Sequence, residues 1–441
     1  MKLFQQMLVA GATLSLMAPI AAQASDVVNL EEMNSYSRSK KSSSRLDSKT
    51  FINEVSEDIA KLKGRVDGLE AQQNNFEAGA FSSTTSMDGK AAFWIGALDG
   101  ATKISSTDKE TVQTGYIYSM NLNTSFTGDD NLYIRLKAGD VGGSPTDTAG
   151  KNDYSIWDSK PTYHIETKDT DDSLKVDKIW YSTPIGENIT AFVGPRIENY
   201  YMYITPSIYK PGALKSMKLG GNANFGASTD VGAGFKYETE GGFGFASNVV
   251  SKNADAAGGM LGKSDTNKWD TQIAYTTDRW HGSLTYSNQQ NWSSHAYNAT
   301  KQAAAMKSGD FTGYAFRGYW MPEDTGTATP EISFGYDIRS ADDTVTSGTG
   351  KESDSYFVGL TWKDMFQADD RIGLAFTQPL KVTECNGTCT TAEVDPFVWE
   401  AYYSFRPNDS IEVRPAIFGG SDVYEDGDDI FGTVLTTVFK F

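Results

Sequence analysis

Thr436-Thr437-Val438-Phe439-Lys440-Phe441 ends the chain. These residues alternate as an extended strand would, and the strand finishes on an aromatic ring. A terminal Phe on an alternating strand is a feature of outer-membrane β-barrels, where the barrel closes on its last strand. The other end agrees. Met1 and Lys2 form a short positive segment, and Met7 to Ala22 is almost wholly apolar or small. Ala22-Gln23-Ala24 offers an A-x-A site, so residues 1–24 read as a signal peptide cleaved after Ala24. A spanning helix needs roughly 20 apolar residues, and this run falls short. No later stretch is long and apolar enough to cross a bilayer as a helix.

Composition fits a barrel. The 441 residues include 42 Gly, 22 Tyr, 23 Phe and 9 Trp, yet mean hydropathy is negative. A transmembrane barrel needs aromatics for two interfacial girdles, while its polar lumen keeps the average low. A large soluble sandwich or propeller would share this profile. The formal charge of −18 argues against nucleic acid as a partner. Cys385 and Cys389 are four apart, and in an exported protein such a pair implies a local disulfide in an outer loop. The three histidines, His164, His281 and His295, are far from both cysteines in sequence, so neither a metal site nor a cofactor is expected.

Residues 25–50 are polar and rich in Ser, Lys and Arg, and read as a flexible linker. Its basic run could make weak contact with anionic cell-wall polymers. Ile52, Val55, Ile59, Leu62, Val66, Leu69, Gln73 and Phe76 then repeat at spacings of three and four. They fill successive a and d positions and predict a short coiled-coil helix over 51–78. An amphipathic helix packed on the barrel is the other reading of the same pattern.

From Phe81 the period becomes two, and residues 81–441 read as one barrel domain. Sixteen strands are expected, starting near 83, 112, 131, 175, 188, 227, 243, 268, 280, 311, 331, 355, 370, 394, 410 and 429. Tyr356, Val358, Leu360 and Trp362, for example, interleave with Phe357, Gly359, Thr361 and Lys363. Short connections such as Thr277-Asp278-Arg279 alternate with long ones near 140–174, 197–226 and 379–393. Short turns on one side and long loops on the other are the pattern of an outer-membrane barrel. The fold class is therefore all-β: a 16-stranded antiparallel transmembrane β-barrel preceded by a short α-helical coiled coil. An even strand number puts both ends of the barrel, and the N-terminal segment, in the periplasm.

If the apolar set of each strand faces lipid, parity sends Arg135, Lys137, Arg196, Arg317, Arg339, Lys363, Arg371, Arg406 and Arg414 to the lumen. Asp270, Asp337, Glu400 and Glu412 join them. A basic ring in a pore favours anions, although cross-strand ion pairs could neutralise the same charges. Arg196 is the first choice for a selectivity residue, because it ends strand 5 beside a long loop. That loop, 198–225, is aromatic and basic, with Tyr200, Tyr203, Lys210, Lys215 and Lys218. Folded inward it would form a constriction; left outside it would pack on neighbouring loops. No catalytic motif accompanies Ser207-Ile208-Tyr209-Lys210, and no enzyme is expected.

The opening MKLFQQMLVA, the segment LKGRVDGLEA at 62–71, the run from Val193 to Asp230 and KWDTQIAYTTDRWHGSLTYS at 268–287 resemble the porins of marine picocyanobacteria. These belong with the carbohydrate-selective porin family, some of them labelled iron-uptake porins. The resemblance implies a homotrimeric barrel held in outer-membrane lipid, with small ions and sugars as permeants. It also implies a surface-layer-homology domain, and here only about 25 polar residues occupy its place. The expected function is passive diffusion of small hydrophilic solutes with anion preference. The alternative is a structural barrel tethering the outer membrane to the cell wall.

Overall fold

The computed structural model describes residues 84–100, 112–141, 164–204, 207–221, 229–252, 260, 262, 265–292, 310–341, 349–387, 395–422 and 429–441. All lie in one compact unit, Thr84–Phe441. The expected signal peptide, linker and coiled coil lie outside the described residues.

The alternating segments form strands β1 (Thr85–Asp99), β2 (Val112–Thr124), β3 (Asn131–Gly139), β4 (Lys175–Ile185), β5 (Ile189–Glu198), β6 (Thr229–Glu238), β7 (Phe243–Lys252) and β8 (Thr266–Thr276). The second half is β9 (Trp280–Gln290), β10 (Phe311–Trp320), β11 (Glu331–Ala341), β12 (Thr349–Lys363), β13 (Arg371–Asn386), β14 (Phe397–Asn408), β15 (Ile411–Ser421) and β16 (Asp429–Lys440). Each pairs antiparallel with its sequence neighbours, and β16 returns to β1 to close the barrel. Closure satisfies every strand edge, which a bilayer demands. Tight turns such as 186–188, 277–279 and 409–410 occupy one end, and the strand ends at Gly139, Lys175, Glu198, Thr229, Gln290 and Phe311, which longer connections join, lie at the other.

Phe441 extends the closing seam by one step. Its backbone exchanges hydrogen bonds with Gly89, Gly89 N donating at 2.8 Å and Phe441 N at 3.2 Å. Its ring stacks on Tyr118 with centroids 5.9 Å apart. The approach needs Gly89, because a Cβ there would sit 2.6 Å from the Phe441 ring. In the turn between β2 and β3, Asp130 accepts from the amides of Phe126 and Thr127 at 2.8 Å each and from the Tyr181 hydroxyl at 2.8 Å. The Thr127 amide above all holds the Asp130 carboxyl well below the usual carboxylate range.

Aromatic rings band the outer wall. Near the tight-turn end Trp280 packs on Trp320 and Phe93 on Phe439; toward the other end Tyr286 packs on Tyr314 and Trp399 on Phe431. Such girdles mark the two membrane interfaces. Two expectations need correcting. β12 begins at Thr349, well before 355, because its 15 residues pair along most of their length with a 16-residue β13. That extension takes up much of the connection expected at 379–393, and Cys385 sits at the end of β13 rather than in a loop.

Candidate functional site: an inward loop and a basic lumen

β3 is short, nine residues, and the chain leaves the wall after Gly139. At His164 it is inside the barrel. His164 is fully buried, its ring 5.4 Å from Trp94 and its Nε2 3.3 Å from the Thr436 hydroxyl. Burial pushes its pKa down to about 3, so the ring is neutral. Two residues on, Glu166 receives the Lys90 ammonium at 2.6 Å and the Arg414 guanidinium at 3.5 Å. Burial alone would raise the Glu166 pKa, but Lys90 and Arg414 hold it well below the usual range.

The second inward segment connects β5 to β6. It opens with a turn of 3-10 helix, Asn199–Met202, and a second irregular turn spans Lys215–Gly220. The two inward segments meet: His164 bridges Leu214, and Ile165 N donates to Ala213 O at 2.7 Å. Tyr209, Ala213, Leu214 and Met217 then pack inside the barrel against Phe357, Val398, Tyr402, Phe418 and Val434. Each fully buried large side chain contributes about 1.5–3 kcal/mol. This is why so many inner-wall positions of β12–β16 and β1 are apolar.

Polar anchors fix the path. Glu400, on the inner face of β14, accepts four hydrogen bonds from the loop. The donors are Tyr209 OH at 2.8 Å, Gly212 N at 2.8 Å, Ala213 N at 3.0 Å and Leu214 N at 2.7 Å. Gly212 is required there, since a Cβ would lie 2.1 Å from the Tyr402 ring. Further along, Arg317 donates to Leu219 O at 2.8 Å and Gly221 O at 2.5 Å, and pairs with Asp337 at 2.7 Å. Tyr203 donates to Asp270, and Lys215 Nζ donates to Thr167 O at 3.0 Å. The loop therefore crosses the lumen and is held on both walls.

These contacts redistribute the sequence-derived candidates. Arg317 and Arg339 lie on the inner face but meet no water. Arg317 staples the loop, and Arg339 donates to Trp292 O at 2.8 Å with its guanidinium 3.6 Å from the Phe311 ring centroid. Tyr203 and Lys215 are buried anchors. Tyr200 is half-buried, with its ring 4.6 Å from that of Tyr201. Arg196 departs from parity. β5 carries a bulge between Gly194 and Ile197, where Pro195 has no amide to give. The extra residue returns Ile197 to the inner core and leaves Arg196 exposed, paired in register with Ile179 on the outer face.

Two groups of candidates remain in the lumen. Arg135 donates to Asn121 Oδ1 at 2.9 Å and lies on one wall with Lys137, near Asp177 and Lys218. The other group gathers on the β12–β16 wall: Lys210 from the loop, with Arg371, Arg406 and Arg414. Lys90, Lys440 and Glu166 are site residues that parity reasoning passed over. Lys440 was legible, because Phe439 faces outward and its neighbour must face in. Glu166 carried no signal, lying in a long loop of ordinary acidic composition. Cys385 is disulfide-bonded, and the chain's one other cysteine, Cys389, lies outside the described residues.

A closed barrel of sixteen strands, narrowed from within by loops held on its inner wall, is a porin. The chain belongs to the carbohydrate-selective porin, OprB family, which residues 46–418 match. It is an outer-membrane porin, and family and fold are those of a channel rather than an enzyme. An uncharacterized protein of Nostoc sp. strain PCC 7120 is 25% identical over 425 residues, covering 87% of this chain and 70% of that one. One of Synechocystis sp. strain PCC 6803 is 22% identical over 408 residues, covering 84% and 71%. Among solved structures, a loop-deletion mutant of OmpT, an outer membrane protein of Vibrio cholerae, aligns with a TM-score of 0.50 at 10% identity. That alignment covers 81% of this chain and 99% of the mutant.

Proposed function

We propose that this porin passes small hydrophilic solutes by diffusion, inorganic ions and small sugars among them, and prefers anions. One observation carries the preference. Lys90, Arg414 and Lys440 share the two carboxylates Glu166 and Glu412, while Lys210, Arg371 and Arg406 have no carboxylate within 4 Å among the described residues. The narrowed lumen is therefore positive although the whole chain is acidic. Sugar comes from the family's description, and the half-buried Tyr200 and Tyr201 offer it ring faces. We further read the tight-turn end of the barrel as periplasmic, and the assembly as a homotrimer on the strength of the sequence resemblance. Planar-bilayer recording tests the central claim. Step-like conductance with a reversal potential displaced toward the anion in a salt gradient is expected. Cation selectivity would remove the preference, and absence of steps would remove the diffusion role and favour a structural tether.

A further inference from the structure

The uncompensated cations are not spread evenly along the lumen. Lys210, Arg371, Arg406, Arg414 and Lys440 line a single cavity of about 140 Å³, with Tyr402 at its wall and Glu412 as its one carboxylate. That is about the liquid volume of four or five waters. It has room for a small tetrahedral oxyanion with part of its hydration shell.

The carboxylate is already engaged. Glu412 receives Arg414 at 3.2 Å, Lys440 at 3.1 Å and the Ser404 hydroxyl at 2.9 Å. It cannot also neutralise Lys210, Arg371 and Arg406. Arg406 Nε is buried and has no hydrogen-bond partner among the described residues. A buried guanidinium donor without an acceptor is costly, and an oxyanion in the cavity would satisfy it. The cluster is also assembled from separate parts of the chain. Arg371 and Arg406 come from β13 and β14, and Lys210 arrives on the inward loop. Tyr402 OH fixes the loop at that point by donating to Lys210 O at 2.6 Å. Three cations are thus held together by loop packing that exists for other reasons, in a place where water still reaches them.

We propose that this cavity is a discrete, saturable binding site for a small divalent oxyanion such as inorganic phosphate, set in the permeation path. The proposal rests on the anion-preferring reading above but makes a separate claim. A diffuse positive field raises the flux of every anion alike. A site with forked guanidinium donors holds a phosphate longer than a chloride, because planar Arg groups match its oxygens. Phosphate lodged there would then hinder chloride.

Chloride current through the full-length wild-type porin in a planar bilayer, at pH 7.5 in potassium chloride, is the readout. Added inorganic phosphate should reduce it along a saturating curve. In the Arg371→Gln/Arg406→Gln double variant, the half-blocking phosphate concentration should rise tenfold or more. Lys210→Met should raise it several-fold, and its loop stays docked because backbone amides, not this ammonium, bind Glu400. Arg196→Gln, on the outer face, should leave the block unchanged. If the double variant does not insert, Lys210→Met and the Arg406→Gln single variant decide. Chloride current that falls only in proportion to phosphate, or that is blocked equally in wild type and variants, overturns the site. Either result can coexist with an anion-displaced reversal potential, so this proposal and the anion preference fail independently.

Discussion

Glu400 and Lys210 show how single residues set the lumen. Glu400 is the acceptor for one phenol and three amides of the loop. Glu400→Ala would strand those donors, at about 1–3 kcal/mol for each one that finds no water. The expected result is a loop released from the β14 wall, seen as larger single-channel conductance and faster proteolysis within 199–221. Glu400→Gln should lie between, because it keeps one acceptor oxygen and loses the charge. Lys210 is crowded instead of paired. Burial within the lumen, then Arg371, Lys363 and Arg406, push its ammonium down from the ordinary value. The sign follows from that direction: the neutral form takes over at a lower pH than the usual value of about 10.4. Anion preference should therefore begin to fall on the alkaline side before an ordinary lysine would titrate. In Lys210→Arg the Lys210 share of that fall should vanish, since a guanidinium stays charged. Reversal potentials between pH 7 and pH 10.5 measure both.

At the scale of elements, strands were legible and loop docking was not. Period-two alternation placed most strand starts within two or three residues, because lipid on one side enforces it. Parity failed where a local insertion broke the alternation, at Pro195-Arg196. The inward loop left a trace that alternation alone could not interpret: Trp94, Leu98, Val434 and Val438 are apolar on the face that should be wet. An apolar inner wall implies a cover, but only tertiary contact says which loop supplies it. Gly335 belongs to the same account, since a Cβ there would lie 1.8 Å from Gly220 O. Because the bulge turns Arg196 outward, Arg196→Glu should leave the reversal potential unchanged. Arg371→Glu, by contrast, should shift it toward cations. Equal shifts in the two variants would show that β5 keeps simple alternation.

The whole molecule opposes its own waist. The chain carries a formal charge of −18, while the cations of the narrowed lumen outnumber their carboxylates. Exposed carboxylates stand at both ends of the strands: Asp99, Asp140, Asp171 and Asp395 at one, Asp129, Glu187, Glu240 and Asp278 at the other. Anions must pass an acidic rim before they meet the basic waist. The reach of each field depends on salt, because the Debye length is about 30 Å at 0.01 M, 10 Å at 0.1 M and 3 Å at 1 M. At the lowest salt the rim repels anions well before they reach the lumen. At 0.1 M the rim is screened from a passing ion more than the waist, where ions approach fixed charges within contact distance. At 1 M both are screened. Anion preference should therefore pass through a maximum near 0.1 M instead of falling steadily as salt rises. Reversal potentials at a constant salt ratio across these three concentrations test it. A preference that only declines from 0.01 M upward would mean that the rim carboxylates do not act on permeating ions.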